Sequence, residues 1–160
     1  MTLAKRINDQ LQSTSPDQSV DIRGTDEKLR VEVKLADCGR LGCLLDGLQL
    51  EHTEDGHLAV DPVQIAKKIN YLEERLEIIE TEGKAGRTIL RSAPPRREDQ
   101  STSFFEMVLD RSTRLSLARY KYDPRTRKRT SVPAPLSRDT LERLIGDLIG
   151  LASGNQTRGC

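Results

Sequence analysis

The chain has 160 residues, of which 35% are hydrophobic and 32% are charged, and its formal net charge at pH 7 is +1. This length fits one globular domain and is short for two. The near-neutral total charge excludes a chain that is basic or acidic throughout, so the bulk composition predicts neither a general polyanion binder nor an acidic disordered segment.

No apolar stretch approaches the roughly 18 residues that a transmembrane helix needs, and the first nine residues lack the apolar run of a signal peptide. The sequence therefore predicts a cytoplasmic protein that does not bind membranes. Three cysteines are too few, and odd in number, for a disulfide framework. We therefore expect Cys38 and Cys43 to be small, unbonded core residues, as in a reducing compartment.

The amino-terminal part, residues 1–27, is predicted to be peripheral, with a short helix followed by a polar linker. The helix is indicated by Leu3, Ile7 and Leu11, which recur every four residues. From residue 28 the pattern alternates with a period of two, which predicts a half-buried antiparallel strand. Two further strands are expected, at 41–51 and 57–60, joined by a hairpin turn at 54–56.

A second helix is predicted to begin after Asp61, which can cap it, with Pro62 in its first turn. Apolar residues spaced by three and four extend this helix over 62–76 and leave the nearby glutamates on a solvated face. The same residues also allow a different interpretation. Segments 76–82 and 87–92 flank a glycine-rich turn and can pair as a hairpin, in which case the helix ends near Arg75.

The remaining elements are an exposed loop over 93–102, strands at 104–110, 114–122 and 127–132, and a final helix at 137–151 capped by Ser137. Residues 153–160 are predicted to be a flexible tail. The order of elements predicts an α+β domain over residues 28–152. It consists of one antiparallel sheet of about five to seven strands with two principal helices on one face, besides the short amino-terminal helix.

No arrangement for catalysis, metal binding or cofactor binding emerges from the motifs. His52 and His57 flank one turn beside Glu51, but no third histidine or cysteine stands at ligand spacing, so they are interpreted as exposed polar residues. No serine, cysteine or threonine is paired with an oriented base. The two Gly-x-x-Gly segments lack the residues that follow a phosphate-binding loop.

The charges are divided unevenly along the chain. Residues 46–82 hold ten acids and three bases, a net charge of −7, whereas residues 83–133 hold thirteen bases and five acids, a net charge of +8. The densest basic segment is the predicted hairpin at 114–132, and it carries the candidate binding residues Arg119, Tyr120, Lys121, Tyr122, Arg125, Arg127, Lys128 and Arg129.

Three hypotheses account for this basic hairpin. Its cations can pair internally with Glu73, Glu74, Glu77 and Glu80. They can contact a protein partner or a second copy of the chain. They can bind nucleic acid, with the two tyrosines stacking on bases, although no recognised motif supports this. We therefore expect a non-enzymatic partner-binding or accessory protein of the adaptor or chaperone type, with nucleic-acid binding as the alternative and a small enzyme with an unrecognised pocket as a second alternative.

Overall fold

The structure is a computed structural model, and it describes residues 2–12, 20–25, 28–53, 60–82, 86–110 and 114–152. The fold is α+β, with three helices and ten strands among these residues. In chain order they are α1 (Leu3–Gln12), β1 (Val20–Thr25), β2 (Leu29–Cys38), β3 (Gly42–His52), α2 (Pro62–Lys68), β4 (Arg75–Glu82), β5 (Arg87–Ala93), β6 (Arg96–Glu98), β7 (Ser101–Asp110), β8 (Arg114–Asp123), β9 (Lys128–Val132), β10 (Ala134–Ser137) and α3 (Arg138–Ala152).

All described strands belong to one antiparallel sheet, which is larger than predicted. Seven strands follow the order β1-β2-β3-β8-β7-β5-β4, while β6 pairs with β7, β9 with β8 and β10 with β3. The prediction missed β1, β6 and β10. The short strand β6 lies in the segment predicted to be a loop, and it forms because residues 96–98 align with the start of β7.

The sheet has an inner face, whose side chains belong to the core, and an outer face. Leu48 and Leu50 of β3 lie opposite Leu117 and Leu115 of β8, and all four are buried on the inner face. The core cluster also contains the buried residues of the three helices. The final helix, predicted at 137–151, is confirmed as α3, and its apolar residues Leu141, Leu144, Ile145, Leu148 and Ile149 are buried.

The amino-terminal helix packs through the three residues that predicted it. Leu3, Ile7 and Leu11 are buried in the same core cluster as the sheet. Arg138 at the start of α3 donates hydrogen bonds to the carbonyl oxygens of Leu11 and Gly39, at 3.0 and 2.8 Å. These contacts tie the end of α1 to the β2–β3 turn.

The second helix is shorter than predicted. Asp61 caps it as expected, since its carboxylate accepts a hydrogen bond from the amide of Val63 at 2.9 Å, but the helix ends at Lys68. The following residues lead into β4, which pairs with β5 in the alternative hairpin. The acidic residues from 73 to 80 therefore lie on a loop and a strand, and their predicted place on a helix face is wrong.

The cysteine prediction is also wrong, because Cys38 and Cys43 form a disulfide bond. Strand β2 extends to Cys38, and two irregularities shift its register so that Cys38 lies directly opposite Cys43 at the end of the β2–β3 hairpin. Both residues are buried, as expected, yet the cysteine content no longer supports a reducing compartment. The strand predicted at 57–60 lies, apart from Val60, outside the described residues, as do His57, Cys160 and the predicted tail.

Candidate interface at the basic hairpin

The basic hairpin is formed by β8 and β9, and it lies at one end of the sheet. Along the inner face of β8, Leu115, Leu117 and Arg119 are buried, whereas Lys121 is exposed. The core therefore ends at Arg119, and the hairpin continues beyond it with polar side chains on this face. Strand pairing places Arg119 and Lys121 together on the inner face, with Arg129 opposite Tyr122 on the outer face. The cations of the hairpin are thus divided between the two faces.

Arg119 is neutralised inside the protein. Its guanidinium lies 3.1 Å from a carboxylate oxygen of Glu73 and 3.4 Å from one of Glu74, and it donates a hydrogen bond to Ser103 Oγ at 3.0 Å. It also lies over the ring of Phe105, 4.7 Å from the ring centre. Internal pairing therefore holds for Arg119, as one of the three hypotheses requires.

Arg129 is neutralised on the outer face by a partner that the sequence did not indicate. Its guanidinium donates two hydrogen bonds to Glu106, and Arg91 of β5 donates two more, at 2.8 and 3.1 Å. Burial alone would raise the pKa of Glu106, but the hydrogen bonds from Arg129 and Arg91 outweigh it and hold the pKa below its ordinary value. Glu106 was missed because an isolated acid in a basic segment carries no periodic signal.

The tyrosines also lie on the outer face. The ring of Tyr120 is covered by the Arg129 guanidinium at 3.7 Å and lies 6.3 Å from the ring of Phe104. Tyr122 is partly exposed and borders a small hollow with Phe104 and Arg129. An aromatic and arginine layer of this kind stabilises the sheet by itself, and it leaves only part of Tyr122 available to a ligand.

The inner face of the hairpin forms a cleft of about 800 Å³ with the β6–β7 turn. We call it the hairpin cleft. Its cationic lining residues are Lys121, Arg125 and Lys128, and its acidic ones are Asp99 and Asp123. The remaining lining residues are Gln100 and three residues with hydroxyl groups, namely Ser101, Thr126 and Thr130.

The charges of the hairpin cleft are only partly paired. Arg125 lies 3.5 Å from Asp123 and donates a backbone hydrogen bond to it, and this backbone bond is the largest cause of the lowered pKa of Asp123. Lys121, Arg127 and Lys128 form no ion pair within the described part of the chain, and all three are exposed. Arg127 lies in the β8–β9 turn with a positive φ of 57°. Three cations of the hairpin are therefore without an ion-pair partner among the described residues, and two of them line the hairpin cleft.

Among the described residues, no group of three or more histidine, cysteine, aspartate and glutamate side chains could hold a metal ion. In the same part of the chain, no helix has the length and apolar character needed to cross a bilayer.

The chain matches no family model, no curated protein and no solved structure in the three comparisons made.

Proposed function

We propose that this protein is a non-enzymatic accessory protein of the adaptor or chaperone type, and that its hairpin cleft binds an acidic segment of a partner protein. The observation that carries the proposal is the pair Lys121 and Lys128, two exposed lysines that line one cleft without an ion-pair partner among the described residues. In the strand register Lys121 lies opposite Thr130 and Lys128 opposite Asp123, so the two lysines are diagonal neighbours on one face and repel each other weakly. A carboxylate-rich segment would remove this repulsion and would also find hydroxyl donors in the cleft.

The division of the hairpin between two faces favours an acidic protein segment over nucleic acid. Base stacking needs aromatic rings beside the phosphate-binding cations. Tyr120 and Tyr122 lie on the outer face, whereas Lys121 and Lys128 line the cleft on the inner face. A single strand bound in the cleft would therefore gain charge neutralisation without stacking on these two tyrosines.

The proposal is tested by measuring the affinity of the protein for a synthetic decapeptide of glutamate and serine at low and at physiological salt. Replacement of both cleft lysines, Lys121→Gln with Lys128→Gln, removes two exposed ion pairs worth up to about 1 kcal/mol each and should weaken binding by about tenfold. A matched control, Lys5→Gln with Arg30→Gln, removes the same charge from exposed positions elsewhere and should leave the affinity nearly unchanged.

Three results would contradict the proposal. The peptide could fail to bind at low salt, or both double variants could weaken binding equally. In the third, a 20-nucleotide single strand would bind more tightly than the peptide, and the Lys121 and Lys128 variant would lower the slope of log affinity against log salt by about two. That outcome would favour nucleic-acid binding. Sedimentation across the same salt range shows in addition whether a second copy of the chain is the partner.

A further inference from the structure

A second surface of the protein lies at the edge of the sheet formed by β4. This strand is the last in the sheet order, and among the described strands it pairs with β5 alone. An edge strand presents unpaired backbone amide and carbonyl groups on its open side, and these groups can receive another extended chain. The open side of β4 is therefore a candidate site for strand addition.

The edge of β4 adjoins a partly apolar groove. Helix α2 runs beside the strand, and the groove between them is about 510 Å³ in volume. Its apolar lining residues are Val63, Ala66, Leu76 and Ile78, and its polar ones are Lys67, Asn70, Arg75 and Glu77. Val63, Ile78 and the neighbouring Ile79 are 46%, 41% and 45% exposed. A cluster of exposed apolar side chains beside an open strand edge indicates a binding surface.

The two faces of β4 differ in chemistry. On the inner face, Leu76 lies opposite Ser92 and Ile78 opposite Leu90. On the outer face, Glu77 lies opposite Arg91, which is already bound to Glu106. The register shifts at Ile79, so that Glu80 also faces outward, opposite Ile89. The outer row is thus mainly acidic, although Arg75 adds one positive charge at its start.

We propose that the β4 edge binds an extended segment of a partner protein as an additional antiparallel strand, and that this segment alternates apolar with cationic side chains. Side chains of an added strand alternate between the faces in step with those of β4. Those on the inner side enter the groove beside Leu76 and Ile78 and are apolar. Those on the outer side approach Glu77 and Glu80 and are lysine or arginine.

A second copy of the chain is a poorer occupant of the same edge. Two copies of the chain can pair their β4 strands antiparallel around a twofold axis. When this axis passes between Ile78 and Ile79, outer-face residues of one copy lie opposite outer-face residues of the other. This register places Glu77 of each copy opposite Glu80 of the other, and these two like-charge pairs cancel the gain from the two Arg75–Glu82 pairs that it forms at the strand ends. A cationic segment meets the same glutamates with the opposite charge.

The test uses two blocked heptapeptides, one alternating lysine with valine and one alternating glutamate with valine, and measures their affinity and the amide shifts that they cause in isotope-labelled protein. The lysine peptide should bind about tenfold more tightly, with the largest shifts in β4 and α2. The same peptide methylated on alternate backbone nitrogens should lose binding by about tenfold, because it cannot complete the strand hydrogen bonds.

Two variants separate the β4 edge from general charge attraction. Glu77→Lys should weaken the lysine peptide about tenfold and improve the glutamate peptide, whereas the matched control Asp46→Lys, at an exposed position on β3, should change neither. Equal effects of both variants, or shifts outside β4 and α2, would overturn the proposal. So would a wild-type dimer that Ile78→Lys converts to a monomer, because a second copy would then cover the edge. Neither peptide test depends on Lys121 or Lys128, so this proposal and the proposed function can fail separately.

Discussion

The replacement Arg119→Ala tests the finding that the core ends in a buried ion pair. Only 6% of the Arg119 side chain and 9% of the Glu74 side chain are exposed. Without the arginine, Glu74 keeps a hydrogen bond from Ser92 Oγ at 2.7 Å but has lost its counter-charge. Removing one member of a buried pair costs about 3–5 kcal/mol. The other partner, Glu73, is nearly half exposed, so water can replace its contact at little cost.

The assays are urea unfolding, which gives the free energy of unfolding, and thermal unfolding, both followed by circular dichroism. In a domain of this size each kcal/mol lowers the melting temperature by about 2–4 °C, so Arg119→Ala should melt roughly 6–20 °C below the wild type. The control is Lys121→Ala, two residues further along the same face, which is exposed and should change stability by less than about 0.5 kcal/mol. A loss below about 1 kcal/mol for Arg119→Ala would show that the pair is hydrated, and the assignment of Arg119 to the protein interior would be wrong.

Two further predictions concern the outer face and the glycines. Because the pKa of Glu106 is lowered in the folded protein, its charge stabilises the fold above the unfolded pKa of about 4.5, and this contribution is lost as the pH falls through the folded value. The stability difference between wild type and Glu106→Gln should therefore shrink below pH 4.5 in urea titrations, and a constant difference would contradict the pairing. Gly146→Ala should raise stability by about 1 kcal/mol, since an added Cβ meets no atom within 4 Å in α3, whereas Gly42→Ala should lower it, because the Cβ would lie 2.7 Å from the backbone oxygen of Leu136. Thermal melts compare the two, and equal effects would refute the packing of β3 against β10.

The sequence located the hairpin that carries the candidate site, but it could not show which cations of the hairpin have an ion-pair partner. The density of cations pointed to the β8–β9 hairpin, and the alternation of side chains along a strand accounts for the position of Tyr120 and Tyr122 on the face opposite to Arg119 and Lys121. Charge density gives no information on which cations already have partners. Glu106 stands 15 residues from Arg91 and 23 residues from Arg129, and Glu74 stands 45 residues from Arg119. These ion pairs form because the order of strands in the sheet brings the residues together, and a local sequence pattern does not specify that order.

The sequence by itself determined the elements whose cause is local. The spacing of Leu3, Ile7 and Leu11 specified α1, the stripe of residues from 141 to 149 specified α3, and the side chain of Asp61 specified where α2 begins. Each depends on residues within a few positions of one another, so periodicity and capping suffice.

Only the tertiary structure decided the features that depend on a distant partner. The segment from Leu76 to Ile79 fits both the end of the predicted helix and the alternative hairpin, and pairing with β5 selects the strand. Register shifts in β2 bring Cys38 opposite Cys43. Strand order also decides that Arg119 and Arg129 are neutralised, while Lys121 and Lys128 have no ion-pair partner within the described ranges. Pairing of charges requires contact in space, and the sequence records only their separation along the chain.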